Sequence, residues 1–275
     1  MNNRLAKFED LVPSTLPFVE GKLEGHKERK NYSIVGPGVT EDSKQFVKIP
    51  MSHSFNLGAV SAMPKNGSGL HSHTTAEVFI IYSGKWKFYW GAEGQDETIL
   101  STGDIISMPT NMFRAFENAG DEEGLIFVVL GGDDPGIITW VPSVIEKAKK
   151  TGMALLNDNS LIDLSLNEIP KGKSILEPIS EEEIKKFENK EYAPLINQDT
   201  GFNLSILKCK KGQITNLKFE KPTILFSRTG KWEIMIDDFQ CILNPKDTIS
   251  IPINSNVNIK INEKEDCYLN CVTQI

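Results

Sequence analysis

No histidine occurs after residue 73, and that absence limits where the chain could hold a metal. The four imidazoles are His26, His53, His71 and His73, so an imidazole-rich site can be built only in the N-terminal part. No cysteine pair has CxxC spacing. Cys209, Cys241, Cys267 and Cys271 lie in or beside apolar, strand-like stretches, which predicts buried free thiols of a cytoplasmic protein rather than zinc ligands or disulfides. No window approaches a membrane-spanning apolar run, and the opening MNNRLAKFEDLVPSTLPF lacks an apolar signal core. Positive charge is short as well. A formal net charge of -7 argues against a nucleic-acid surface, which needs a concentrated basic face. What remains is a chain of 275 residues, long enough for two domains that each bury a core.

Most of what is present reads as short strands between turns. FNLGAVSAM, EVFIIYS, KWKFYWG, DETILS, DIISMP and GLIFVVLG are rich in β-branched and aromatic residues and bounded by Gly, Pro, Asn or Asp. A second series follows: FNLSILK, TILFSR, KWEIMID, FQCILN, DTISIP, NVNIKI and CYLNCV. Between the two, PSVIEKAKK (142–150) reads as a helix with Ser143 as its cap. Ser180 with Glu183 gives a capping-box signal for another.

The two series repeat one another. Ser-Gly-Lys-Trp at 83–86 recurs as Thr-Gly-Lys-Trp at 229–232, and Asp104-Ile-Ile-Ser-Met-Pro-Thr-Asn111 recurs as Asp247-Thr-Ile-Ser-Ile-Pro-Ile-Asn254. The offset falls from 146 to 143 between the matches, because a GAEGQ turn in the first copy becomes a tighter Asp237-Asp238 turn in the second. An internal duplication is the simplest reading. The expected fold is all-β: two jelly-roll barrels, spanning 1–140 and 191–275, joined by a partly helical linker over 141–190.

Chemistry concentrates in one stretch, Gly67-Ser-Gly-Leu-His71-Ser-His73-Thr-Thr-Ala-Glu77. Residues two apart on a strand share a face, so His71 and His73 present two imidazoles side by side, and Glu77 adds a carboxylate after a bend. Two imidazoles and a carboxylate form a ligand set for Fe, and one that Mn, Ni, Cu or Zn tolerates. In a strand running through Arg114, alternation puts Met112, Phe116 and Asn118 on the arginine's face.

These residues resemble the motifs of the cupin superfamily. Its first motif reads Gly-x5-His-x-His-x3/4-Glu-x6-Gly, and His71, His73, Glu77 and Gly84 fit it, with Gly67 and Gly69 near the displaced leading glycine. Its second reads Gly-x5-Pro-x-Gly-x2-His-x3-Asn, matched by Gly103, Pro109 and Asn118, with Asn111 at the second glycine. Arg114 stands where that motif has its histidine. An arginine has no lone pair to offer a metal. A guanidinium ~6 Å from a divalent ion is repelled by about 5 kcal/mol at an effective dielectric of ~20.

The resemblance, which extends to the two-barrel, quercetinase-like bicupins, implies one divalent transition metal on His71, His73 and Glu77. It also implies an oxygenase-like enzyme acting on a small anionic or aromatic molecule, with a possible homodimer. On that reading Glu77 and Arg114 are catalytic, Arg114 also holds the anion, and Met112, Phe116 and Asn118 contact substrate. The alternatives are a metal-free pocket with Arg114 paired to Glu77, a non-redox isomerase or lyase, and a non-enzymatic binding protein. In the second copy Leu217, Phe219 and Thr223 fall at the ligand positions and Val257 at Arg114, so that barrel is expected to be filled with apolar side chains. His53 is expected at the surface.

Overall fold

The computed structural model describes residues 2–134, 136–180, 200–210, 212–261, 263 and 265–275. The N-terminal barrel is made of two sheets. One has six strands in the order Val47–Ile49, Arg29–Val35, Phe55–Ala62, Gly124–Gly131, Glu77–Ser83 and Ile105–Met108. The other has five, in the order Thr139–Trp140, Gly67–Ser72, Arg114–Asn118, Lys85–Trp90 and Asp96–Ser101. The second barrel pairs a four-stranded sheet (Ile214–Lys218, Asn256–Ile261, Trp232–Ile236, Phe239–Leu243) with a five-stranded one. The latter runs Leu5–Ala6, Thr248–Ile251, Thr223–Ser227, Cys267–Gln274 and Phe202–Cys209.

The duplication extends to the cross-strand register. Arg114 faces His71 and Trp90 in the first copy, and Val257 faces Leu217 and Ile236 in the second. Glu77 faces Met108 as Thr223 faces Ile251. Small devices repeat too. Trp86 Nε1 donates to Ser83 O at 3.0 Å and Trp232 Nε1 to Thr229 O at 2.9 Å. Asn111 and Asn254 both take left-handed φ values, 59° and 65°, which asparagine tolerates better than most side chains. The shorter turn at Asp237-Asp238 joins Trp232–Ile236 to Phe239–Leu243, where residues 91–95 separate the equivalent strands of the first copy.

Strand alternation decides what each sheet face meets. In Glu77–Ser83, Phe79 and Ile81 turn into the N-terminal barrel while Val78 and Ile80 turn out. In Thr223–Ser227, Leu225 turns into the C-terminal barrel while Ile224 and Phe226 turn out. The two outward faces pack on each other, with the Phe127 and Phe226 rings 4.9 Å apart. The barrels therefore share one apolar layer between two sheets.

Three expectations change here. The strand Leu5–Ala6 pairs with Ile249 and Thr248, so the first residues of the chain belong to the sheet of the second barrel. The helix Pro142–Lys150 starts on an extended Val141 with Pro142 in its first turn, so Ser143 is inside the helix and caps nothing. Proline at that place costs no hydrogen bond and presets φ. The helix is not a free linker, because Val144, Ile145 and Ala148 pack with Phe18, Val19, Phe113 and Trp140, a cluster that crosses the boundary expected at residue 140. The helix expected after Ser180 lies outside the described residues. All four cysteines are free, with Cys209 and Cys267 buried.

Candidate functional site

A cavity inside the N-terminal barrel encloses about 560 Å³ of empty space, open solvent at its mouth included. Its walls are mostly apolar, with Phe79, Phe116, Val60, Val128, Leu130 and Trp140 among them. Two groups of polar residues also line it: His71, His73 and Glu77 at one place, and Arg29, Asn31, Ser33 and Gln45 at another.

The first group sits where the sequence places it. The strand Gly67–Ser72 carries His71, and Glu77 opens the strand Glu77–Ser83. The two rings lie 5.4 Å apart and nearly parallel. His71 Nδ1 lies 2.8 Å from Gly69 O, which fixes the proton on that nitrogen. His73 Nε2 is 3.4 Å from Glu77 Oε2. Arg114 is fully buried and every nitrogen of its guanidinium is engaged. Nε donates to Glu77 Oε2 at 3.1 Å, Nη1 donates to Met112 O at 2.9 Å, and Nη2 lies 2.9 Å from the ring nitrogens of His73.

Burial first, and Arg114 second, hold His71 neutral down to about pH 3 and push the His73 pKa well below its ordinary range. Burial raises the pKa of Glu77, against the opposing pull of the guanidinium.

These residues do not fit a metal as they stand. Arg114 Nη2 lies within hydrogen-bond distance of both His73 and Glu77, so a fixed cation already faces the atoms that would ligate the ion. A divalent cation there would meet a guanidinium at close range. Among the described residues, no group of three His, Cys, Asp or Glu side chains is arranged to hold a metal.

The expected substrate contacts divide. Phe116 lines the cavity, whereas Arg114, Met112 and Asn118 are not among its lining residues. Asn118 spends its amide on Ala62 O, Glu122 O and the Gly120 N–H, which closes a turn at the end of its strand. Met112 is packed in the barrel core. His53 is corrected outright. It is 2% exposed, its Nδ1 donates to Met51 O, and its Nε2 takes the hydroxyl proton of Ser250, which itself accepts from Arg4. An imidazole expected at the surface thus joins the two barrels.

Apart from Gln45, the second polar group lies on the strand Arg29-Lys-Asn31-Tyr-Ser33-Ile-Val35, which is absent from the two strand series above. Its signal is alternation: Arg29, Asn31 and Ser33 fall on one face at intervals of two. Arg29 is held by Glu20, whose Oε1 accepts from Nη1 at 2.8 Å, and by Gly67 O. Glu20 Oε2 in turn accepts the Gly69 N–H at 2.6 Å. A Cβ at Gly69 would strike that carboxylate, and one at Gly67 would strike the backbone of Phe116. Gly69 therefore allows the approach of Glu20 that seats Arg29, and Gly67 allows the close approach of the Phe116 backbone.

Comparison with known proteins places these observations. Residues 59–130 match the family model of the Cupin domain. AerE from Microcystis aeruginosa has a similar structure, with TM-score 0.55 and 15% identity over 99% of each chain. The Lactobacillus farciminis oxalate decarboxylase, in a formate complex, has TM-score 0.60 and 14% identity over 100% of this chain and 87% of the other. A Bacillus subtilis oxalate decarboxylase described with Mn(II) centres has TM-score 0.58 and 10% identity over 100% and 78%. At such identities the likeness is one of fold. No curated protein matches the chain in sequence.

Proposed function

We propose that the N-terminal barrel, whose residues 59–130 match the Cupin domain, takes up a small organic molecule and moves a proton on it without a redox metal. The observation that supports the reading is Arg114, fully buried and bonded to Glu77 beside His73. The guanidinium supplies from the chain itself the fixed positive charge that an ion supplies in metal-bearing relatives. Glu77 is the proton carrier. It lines the cavity, burial makes it hold a proton more readily than an exposed glutamate, and Arg114 keeps its carboxylate form accessible. His71 and His73 stay neutral and act as hydrogen-bond partners rather than cations. The apolar walls exclude water and set the size of the ligand.

An oxygenase-like reaction at His71, His73 and Glu77 would require the guanidinium to move away from His73 and Glu77. Isomerase or lyase chemistry requires no such move. The oxalate decarboxylases of similar fold act on a small carboxylate, which is the size class this cavity suits.

The test is metal analysis of protein purified without added metal, together with deuterium exchange from solvent into a panel of small keto acids. Sub-stoichiometric Fe, Mn, Ni, Cu and Zn, with exchange that Glu77→Gln abolishes, is the expected result. A stoichiometric metal lost in a His71→Ala/His73→Ala double variant would instead favour the oxygenase-like reading.

A further inference from the structure

Arg29 is 2% exposed, yet two of its three guanidinium nitrogens, Nε and Nη2, have no hydrogen-bond partner. Its Nη1 corner is fully used by Glu20 and Gly67 O, and its face lies over the Phe18 ring at 4.9 Å. Leaving N–H groups of a buried cation unmet is expensive, so an acceptor is missing from the picture. Nε–H and the adjacent Nη2–H form one edge of the planar guanidinium. That edge matches two oxygens of a carboxylate in a pair of parallel hydrogen bonds.

Two further buried polar atoms, on residues that line the same cavity, are also without partners: Asn31 Oδ1 and Gln45 Oε1. Gln45 donates through Nε2 to Ser33 Oγ at 2.8 Å and to Asn31 O, so its oxygen is the free end of the amide. Free acceptors call for donors. The unmet groups of this polar end thus describe a complement: a planar oxyanion with a hydrogen-bond donor close by.

We propose that the Nε–Nη2 edge of Arg29 is a carboxylate-binding site, and that the ligand of the cavity is a small carboxylate carrying a hydroxyl or amino donor. The proposal uses the cavity of the proposed function and names its ligand class, but it does not depend on metal-free proton transfer. It also moves anion selection away from Arg114, whose nitrogens are all engaged, to an arginine outside both cupin motifs.

Acetate and glycolate are the probes, since they share the carboxylate and differ by one hydroxyl. Each is titrated into wild-type protein while the arginine 15Nε–1H resonances are followed, and crystals are grown with saturating glycolate. The expected result is saturable binding that moves the Arg29 resonance, with a carboxylate on its Nε–Nη2 edge. Glycolate should bind roughly 5-fold more tightly than acetate, as one added hydrogen bond allows. Arg29→Lys keeps the charge but loses the fork and should weaken both by about 10-fold or more. No saturable shift of Arg29, or only water on that edge under saturating glycolate, overturns the site. Equal affinity for the two probes overturns the donor requirement. Stoichiometric metal alongside glycolate on Arg29 would sink the proposed function and leave this inference standing, whereas metal-free protein with a bare Arg29 edge would do the reverse.

Discussion

The two barrels have the same strand register and opposite interiors. Where the first holds Arg114 against His71, the second holds Val257 against Leu217; where the first has Glu77 beside Met108, the second has Thr223 beside Ile251. The second interior is closed by Trp232, Ile234, Ile249, Ile259 and Leu269, all essentially inaccessible. It shows that this backbone closes without an interior arginine–glutamate pair. The buried charges of the first barrel are therefore not something the fold requires. Burying an ion pair is often no better than neutral against well-packed apolar residues of the same volume, so stability alone does not account for the Arg114–Glu77 pair.

Exchanging residues between the copies would break this comparison if it is wrong. Val257→Arg puts a cation into the apolar barrel with no carboxylate to meet it, and Arg114→Val strands Glu77 in the other. Each should cost about 3–5 kcal/mol in denaturant unfolding. Adding Glu77→Thr to Arg114→Val, which copies the second barrel into the first, should recover most of the loss. A double variant no more stable than the single one would show that the polar cluster supports the fold. A sharper form is Arg114→His, which restores the imidazole of the second cupin motif and removes the competing cation. Affinity for Mn(II) or Zn(II), followed by calorimetry, should rise by more than about 100-fold, and unchanged affinity would mean that the position is misassigned.

The smallest effect concerns the seam between the barrels. Burial lowers the pKa of His53 below its ordinary 6.5. The folded protein therefore keeps it neutral, while the unfolded chain protonates it as the pH falls below 6.5. Its contribution is complete above that value and shrinks as the pH falls toward the folded value, by at most about 1.4 kcal/mol per unit. The stability advantage of wild type over His53→Gln should narrow between pH 6.5 and 5. A gap that stays constant would mean that the ring is solvated.

The barrels, their duplication and the loss of polar chemistry from the second copy were legible because turns and alternation leave a local mark, and Gly-Lys-Trp fixes the register. His71, His73 and Glu77 were legible for the same reason. What could not be read was contact across long separations. Arg29 acquires its meaning only when Glu20 and Gly67 hold one corner of it inside the barrel. His53 acquires its own from a hydroxyl 197 residues away. Arg114 and its pairing with Glu77 were legible from the motif, but its bonds to His73 and Met112 O were not.

The strand Leu5–Ala6 has a consequence for how the chain is made. Its partner, Thr248 and Ile249, emerges from the ribosome more than 240 residues later, and at 5–20 residues per second that is a wait of roughly 12–50 s. Until then the opening segment has no sheet to join, and an unfinished chain leaves it loose. Leu5–Ala6 is thus paired only after some 240 later residues have been made. A product stopped short of residue 248 leaves the backbone groups of Leu5 and Ala6 without the strand that pairs them, so the close of the second barrel's sheet waits on its own late strand.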